Sequence, residues 1–254
     1  VSYYADLGFE AITPEALRER TASPAVQRFL VEGVGPVSVS GIPELGRILL
    51  AHGAGAGHLS EFMRQFAAML ASKRLQVWAI DFPYMQQMSE EAKRRPPPPV
   101  KKTLEHFAAW YALLASSSGS PLWVGGKSMG GRVASLFASQ HRCAGVAGVI
   151  AAGYPFHPPK KPDSLRTDHF PDISMPMLIL QGERDPFGSR DEVAHYALPD
   201  SLHVHWLTDG DHDFKPRRSS GVNQQVLIDE AAIVAASFVR AQLAVAARTC
   251  STLV

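Results

Sequence analysis

Leu122-Trp123-Val124 is a short apolar run, Gly126-Lys127-Ser128-Met129-Gly130 follows it almost at once, and Val133, Leu136 and Phe137 then recur at helical spacing. This is a strand, a sharp turn and a helix, with G-x-S-x-G at the turn. The two glycines have a geometric reason. A serine held on a strained strand-to-helix turn leaves no room for side chains two residues to either side, where neighbouring backbone passes. The serine hydroxyl is then presented above the sheet, and the free N–H groups of the following helix face any oxygen held beside it. A glycine-rich connection with an incidental serine would look the same in isolation, so the reading depends on partners elsewhere in the chain.

Working outward, apolar runs at Ile48–Ala51, Val77–Ile80, Leu122–Val124, Val146–Ile150, Met177–Leu180 and Leu202–Leu207 alternate with helical segments. That alternation predicts an α/β class with a mostly parallel central sheet covered by helices on both faces. Phe62, Phe66, Met69 and Leu70 form one helical stripe, with Ser60 as N-cap; Leu104, Phe107, Ala108 and Tyr111 form another, with Thr103 as N-cap. Leu227, Ala231, Val234, Phe238 and Ala241 mark a long final helix. Val26–Val31 and Val37–Ser40 are expected to be antiparallel edge strands joined through Gly33 to Pro36. Phe82–Lys102, with its run Pro96–Pro99, and Tyr154–Pro176 are expected to be loops. The chain is expected to form a single domain over residues 1–254, within which residues 1–22 are left as an N-terminal extension of unassigned structure: a helix, a tail or added sequence.

A serine hydroxyl needs a base to take its proton, and that base needs an acid on its other nitrogen. His212 fits the first role, in the polar loop Asp209-Gly210-Asp211-His212-Asp213-Phe214 after the last strand. The remaining histidines fit less well: His203 and His205 alternate within a strand, and His141, His169 and His195 fall on surface helices or loops. Asp185, in Gln181-Gly182-Glu183-Arg184-Asp185-Pro186 at the carboxyl end of a strand, fits the second role, with Glu183 as the alternative acid. The alternating aspartates raise a calcium loop as a competitor, but the spacing lacks its sixth-position glycine and twelfth-position glutamate. His52-Gly53-Ala54-Gly55-Ala56-Gly57 follows a strand and ends in neither the lysine of a phosphate loop nor the dinucleotide spacing. Its small residues suit a backbone that approaches a developing oxyanion, and the donors are assigned to the N–H groups of Ala54 and Met129.

Taken together, residues 50–57, 125–132, Gly153-Tyr154-Pro155-Phe156-His157-Pro158-Pro159 and residues 181–188 resemble one α/β-hydrolase family. It is typified by the testis-expressed hydrolase-like protein and the third subunit of the NSL histone acetyltransferase complex, and lies near the dienelactone hydrolases. The resemblance runs from about Arg47 to the end of the last helix. It implies an α/β-hydrolase fold and a Ser128, His212 and Asp185 triad, and with only residues 154–176 available for a cap, a minimal cap and an open site. His52, Tyr84, Tyr154, Phe156 and His157 are then candidates to line a substrate pocket.

With 46% hydrophobic residues and a formal net charge of +1, the chain can bury a core but has no global field to attract nucleic acid or an anionic membrane. Two cysteines, Cys143 and Cys250, make neither a disulfide framework nor a zinc site, which points to a reducing, cytoplasmic setting. No basic leader and no long uninterrupted apolar run is evident. The expected activity is hydrolysis of a small ester, thioester or related acyl substrate through an acyl-serine intermediate, with no metal and no organic cofactor. The competing readings are a non-catalytic binding or scaffold module on the same fold, and a serine peptidase acting on short peptides.

Overall fold

A computed structural model describes residues 3–116, 119–141 and 145–251, with the side chains of 249–251 excepted; Cys143 lies outside the described residues. The six apolar runs form six parallel strands: β4 (Gly46–Ala51), β5 (Leu75–Ile80), β6 (Leu122–Lys127), β7 (Val146–Ala152), β8 (Met177–Gly182) and β9 (Leu202–Leu207). They are joined by β1 (Glu10–Ile12), β2 (Ser23–Val31) and β3 (Gly35–Gly41) into one nine-stranded sheet of order β1-β2-β3-β5-β4-β6-β7-β8-β9. Because β4 sits between β5 and β6, the loops leaving β4 and β6 lie side by side at the carboxyl edge. Open α/β sheets bind ligands at such an edge.

Helices cover both faces. On one face, α3 (Glu61–Ser72) turns Met63, Phe66, Ala67 and Leu70 inward, at i, i+3, i+4 and i+7. It packs against α8 (Gln224–Ser251), whose Leu227, Ile228, Ala231, Ala232, Ala235 and Val239 are buried. On the other face, α5 (Val100–Ala115) and α6 (Met129–Gln140) bury Phe107, Trp110, Leu114, Val133 and Phe137. Over Gln224–Arg248, α8 is long and apolar enough to cross a bilayer by length and composition, yet its first turns are packed into the core.

Three local expectations are corrected. The β2–β3 hairpin is antiparallel, with Phe29 opposite Val37, but neither strand is an edge: β3 pairs with β5, and β1 pairs in parallel with β2. Residues 82–102 are not wholly loop, because α4 (Pro83–Glu91) occupies the first half, opening on Pro83 and ending at Ala92 in the left-handed region. Proline suits a helix's first turn, and besides the flanking Phe82 and Ala92 only the segment from Lys93 to Pro99 is in neither helix nor strand. Thr103 does not cap α5; the helix starts at Val100, directly after the proline run, and the Thr103 hydroxyl donates to the Val100 carbonyl at 2.7 Å. Ser60 does stand at the N-cap of α3, without a capping side-chain bond.

The N-terminal residues left unassigned by sequence fold onto the sheet as α1 (Tyr3–Asp6), β1 and α2 (Pro14–Arg18). The anchor is Tyr4, fully buried, whose hydroxyl donates to Asp81 Oδ2 at 2.7 Å. Asp81 Oδ1 accepts the His58 backbone N–H at 2.7 Å and lies 2.9 Å from His58 Nδ1. Burial opposes ionisation of Asp81, but the charge and hydrogen bonds of His58 hold its carboxyl well below the usual carboxylate range. A native pKa below the unfolded one stabilises the fold above the unfolded pKa, and that contribution is lost as pH falls through the native value. Asp81→Asn is therefore expected to lower stability at neutral pH by about 2–3 kcal/mol. In urea titrations, wild type's advantage should be flat above pH about 4 and shrink below it; identical acid limbs would remove Asp81 from this role.

The turn between β6 and α6 holds Ser128 at φ +50° and ψ −114°, a conformation that L residues rarely adopt. Built Cβ atoms on Gly126 and Gly130 would lie 2.4 and 2.3 Å from the Ala51 carbonyl oxygen, so neither position admits a side chain. Ser128→Gly and Ser128→Ala both lose the hydroxyl, but only glycine relaxes the backbone, so the glycine variant should be more stable by about 1 kcal/mol or more. Equal urea midpoints for the two would show that the turn stores no strain.

Candidate active site

Three side chains from distant parts of the chain meet at the carboxyl edge of the sheet. Ser128 Oγ lies 2.8 Å from His212 Nε2, and His212 Nδ1 lies 2.8 Å from Asp185 Oδ2. Asp185 is fully buried; its Oδ2 also accepts Gln181 Nε2 at 3.0 Å, and its Oδ1 accepts the Phe187 N–H at 2.8 Å. A buried carboxylate so enclosed keeps one orientation and fixes the proton of His212 on Nδ1, leaving Nε2 to accept from the serine. The alternative acid, Glu183, faces away, accepting the Asp209 N–H at 2.9 Å and pairing with Arg190 at 2.6 Å.

The loop carrying His212 is held against the sheet by close backbone approach. A Cβ on Gly182 would lie 2.4 Å from the carbonyls of both Gly210 and Asp211. Lys127, the residue before the serine, completes the fastening: its Nζ donates to the His212 carbonyl at 2.6 Å, lies 3.4 Å from Asp213 Oδ1 and sits over the Phe62 ring at 5.3 Å. Burial pulls the Lys127 pKa down, opposed by Asp213 and Asp185. The ring of Phe187 lies against the His212 imidazole, with centroids 4.2 Å apart.

The alternating aspartates all have partners. Asp209 pairs with Arg184 at 2.9 Å, Asp211 accepts the N–H groups of Asp213 and Lys215, each at 2.9 Å, and Asp213 faces Lys127. Among the described residues, no group of three or more His, Cys, Asp or Glu is placed to hold a metal.

Met129 is the first residue of α6, so its N–H has no intrahelical acceptor. Ala54 lies across from it on the loop after β4, and both border a cavity of about 330 Å³ that opens on Ser128. A second cavity of about 440 Å³ reaches Ser128 from the other side and includes His212, Lys127 and Ala54.

The five aromatic and histidine side chains expected to line a pocket border neither cavity. His52 is fully buried beneath the Ala54 loop: the Phe82 N–H donates to its Nε2 at 3.0 Å, so Nδ1 carries the proton and donates to the Gly53 carbonyl at 2.6 Å. Burial depresses its pKa, which keeps the ring neutral. Tyr84 donates its hydroxyl to the Ala54 carbonyl at 2.9 Å. Both therefore brace that loop from behind. Tyr154 and Phe156 are buried with Phe170 in an aromatic cluster, the Tyr154 hydroxyl donating to the Arg166 carbonyl at 2.7 Å. His157 is buried with its Nδ1 2.9 Å from the Pro158 carbonyl. A loop without a helical cap needs a core of its own, and these rings supply it. Sequence reasoning gave no role to Lys127, Gln181, Phe187, Arg132 or Arg166: the first four lie inside stretches quoted for their neighbours, and no spacing marks Arg166.

The fold has many solved counterparts. A dienelactone hydrolase from Anabaena variabilis superposes with a TM-score of 0.63 at 20% identity, over 84% of this chain and 96% of that one. A protein from Xanthomonas campestris described as an α/β serine hydrolase without lid gives 0.58 at 15% identity, over 88% and 95%. An esterase domain from Rhodothermus marinus gives 0.57 at 14% identity, over 81% and 92%. At these identities the likeness is one of fold. No curated protein matches the chain by sequence. The family model described as alpha/beta hydrolase domain, however, matches residues 44–240, from just before β4 to late in α8, and the chain belongs to that family.

Proposed function

We propose that the chain is a serine hydrolase that cleaves a small ester, thioester or related acyl substrate through an acyl-Ser128 intermediate. The observation that carries this reading is the continuous relay from Ser128 Oγ to His212 Nε2 and from His212 Nδ1 to Asp185 Oδ2, each link 2.8 Å long. As Ser128 Oγ attacks the carbonyl carbon, its proton passes to His212 Nε2, and the carboxylate of Asp185 stabilises the imidazolium. The carbonyl oxygen becomes an oxyanion, received by the N–H groups of Met129 and Ala54. Collapse breaks the bond to the leaving group, which takes the proton from His212. Water then attacks the acyl-serine by the same route, regenerating Ser128 and releasing the acid.

No step in this sequence draws on a metal or organic cofactor. The near-neutral charge supports a small-molecule substrate over nucleic acid or membrane, and the sparse cysteines support a cytoplasmic setting. The finer kinship with the testis-expressed and NSL-subunit family belongs to the same proposal. An open site is supported by the short segment between β7 and β8, which within residues 153–176 has no helix beyond the single 3₁₀ turn Phe170–Asp172.

Ser128→Ala is expected to lower turnover of short-chain nitrophenyl esters by about a thousandfold or more. It should also abolish labelling by a fluorophosphonate probe. Equal rates, or a folded wild type that never labels, would favour a scaffold on a hydrolase fold. Tyr84→Phe releases the Ala54 carbonyl without touching the substrate. It should lower kcat about ten- to a hundredfold through misplacement of the Ala54 N–H while leaving KM nearly unchanged; an unaltered kcat would show that Tyr84 does not position this loop.

A further inference from the structure

The two cavities that meet at Ser128 differ in which reacting group they contain. His212 borders the larger one. Because this imidazole returns its proton to the leaving atom, the leaving group must depart on that side. Met129 borders the smaller cavity, from which His212 is absent, so the acyl chain extends there, past Val133 and Pro155.

Two arginines also border that acyl-side cavity, Arg132 and Arg166. Arg132 stands one turn after Ser128 on α6, its N–H bonded to the Ser128 carbonyl at 3.1 Å. Arg166 is fixed by its backbone: its N–H donates to the Phe156 carbonyl at 2.8 Å, and its carbonyl accepts the Tyr154 hydroxyl at 2.7 Å. Arg132 and Arg166 are both only partly exposed. Among the described residues, no carboxylate lies within 4.0 Å of either guanidinium, whereas Arg184, also partly buried, pairs with Asp209 at 2.9 Å. Arg132 Nε is buried without a hydrogen-bond partner. Burial and the neighbouring Arg132 charge both work against ionisation of Arg166, so the pair forms a like-charge site with no counterion of its own.

We propose that Arg132 and Arg166 bind a carboxylate at the far end of the acyl chain, so that the preferred substrates are monoesters or monothioesters of aliphatic dicarboxylic acids. A planar carboxylate matches the guanidinium fork, and it would offset the paired positive charge. The apolar residues that line the same cavity, Met129, Val133 and Pro155, suit the methylene chain that joins the two ends. This assignment rests on Ser128 being the nucleophile and adds which acyl group it receives.

The test compares nitrophenyl monoesters of glutaric, adipic and pimelic acids with neutral alkanoate esters of the same chain length, each corrected for its spontaneous hydrolysis. Wild type should favour at least one dicarboxylate monoester by about tenfold or more in kcat/KM, and the preference should weaken as salt is raised. Arg132→Gln and Arg166→Gln should each collapse that ratio, chiefly through KM, and Arg166→Lys should restore part of it, because lysine keeps the charge but loses the fork. Equal kcat/KM for charged and neutral esters in wild type would overturn the carboxylate site while leaving the hydrolase intact. Calorimetric titration of adipate into Ser128→Ala protein separates the two proposals. Arginine-dependent binding without any ester turnover would retain the site and remove the nucleophile assignment, whereas absence of binding and of turnover would remove both.

Discussion

The close approach of two backbones at the carboxyl edge of the sheet is the constraint on which the site depends. The Ala51 carbonyl at the end of β4 stands where side chains on Gly126 or Gly130 would have to go. With glycine at both positions, β6 can turn into α6 within a few residues, forcing Ser128 to φ +50°. That one turn lifts the hydroxyl out of the sheet and directs the start of α6 at the same point. It also brings the loop after β4 alongside, so that an exposed hydroxyl and the backbone of a second loop are set side by side by one packing event. The strained conformation persists because hydrogen-bonded strands on both sides over-determine it.

Around this turn, a set of polar contacts holds the groups that face Ser128 in place. Gln181 and the Phe187 N–H orient Asp185, Lys127 ties down the His212 carbonyl, and His52 and Tyr84 hold the carbonyls of Gly53 and Ala54. Each is a buried polar group facing a specific partner. In low dielectric, leaving such a group unsatisfied costs more than the bond itself contributes, so the arrangement has few alternatives. A reacting geometry that must hold to a fraction of an ångström needs this kind of support.

The electrostatics of the two cavities diverge for the same reason. On the His212 side, Lys127 faces Asp213 and His212 faces Asp185. In the smaller cavity, Arg132 and Arg166 have no such match among the described residues. The carboxylates nearest in sequence to Arg166, Asp163 and Asp168, are on the exposed surface. A charge left unpaired in a part-buried cleft is an unfavourable feature of the free protein that a ligand can remove.

Much of this was legible along the chain. The six parallel strands announce themselves as apolar runs because both of their faces are buried, and a strained turn needs glycines that spacing alone exposes. Ser128, Asp185 and His212 could be named because each follows a strand in a fixed chain order, and the fold brings them within hydrogen-bonding distance. Tertiary structure decided the rest. Residues 3–18 form elements only because Tyr4 finds Asp81, seventy-seven positions away, and the short α4 shows too little periodicity to be seen. His52, Tyr84, Tyr154, Phe156 and His157 sit close in sequence to the site, yet all five are buried behind it, since which face of a loop an aromatic ring takes is set by what packs against it. Periodicity reports whether a segment is buried, whereas which side chains meet across distant segments depends on packing in three dimensions, and the two arginines beside Ser128 are known only from that.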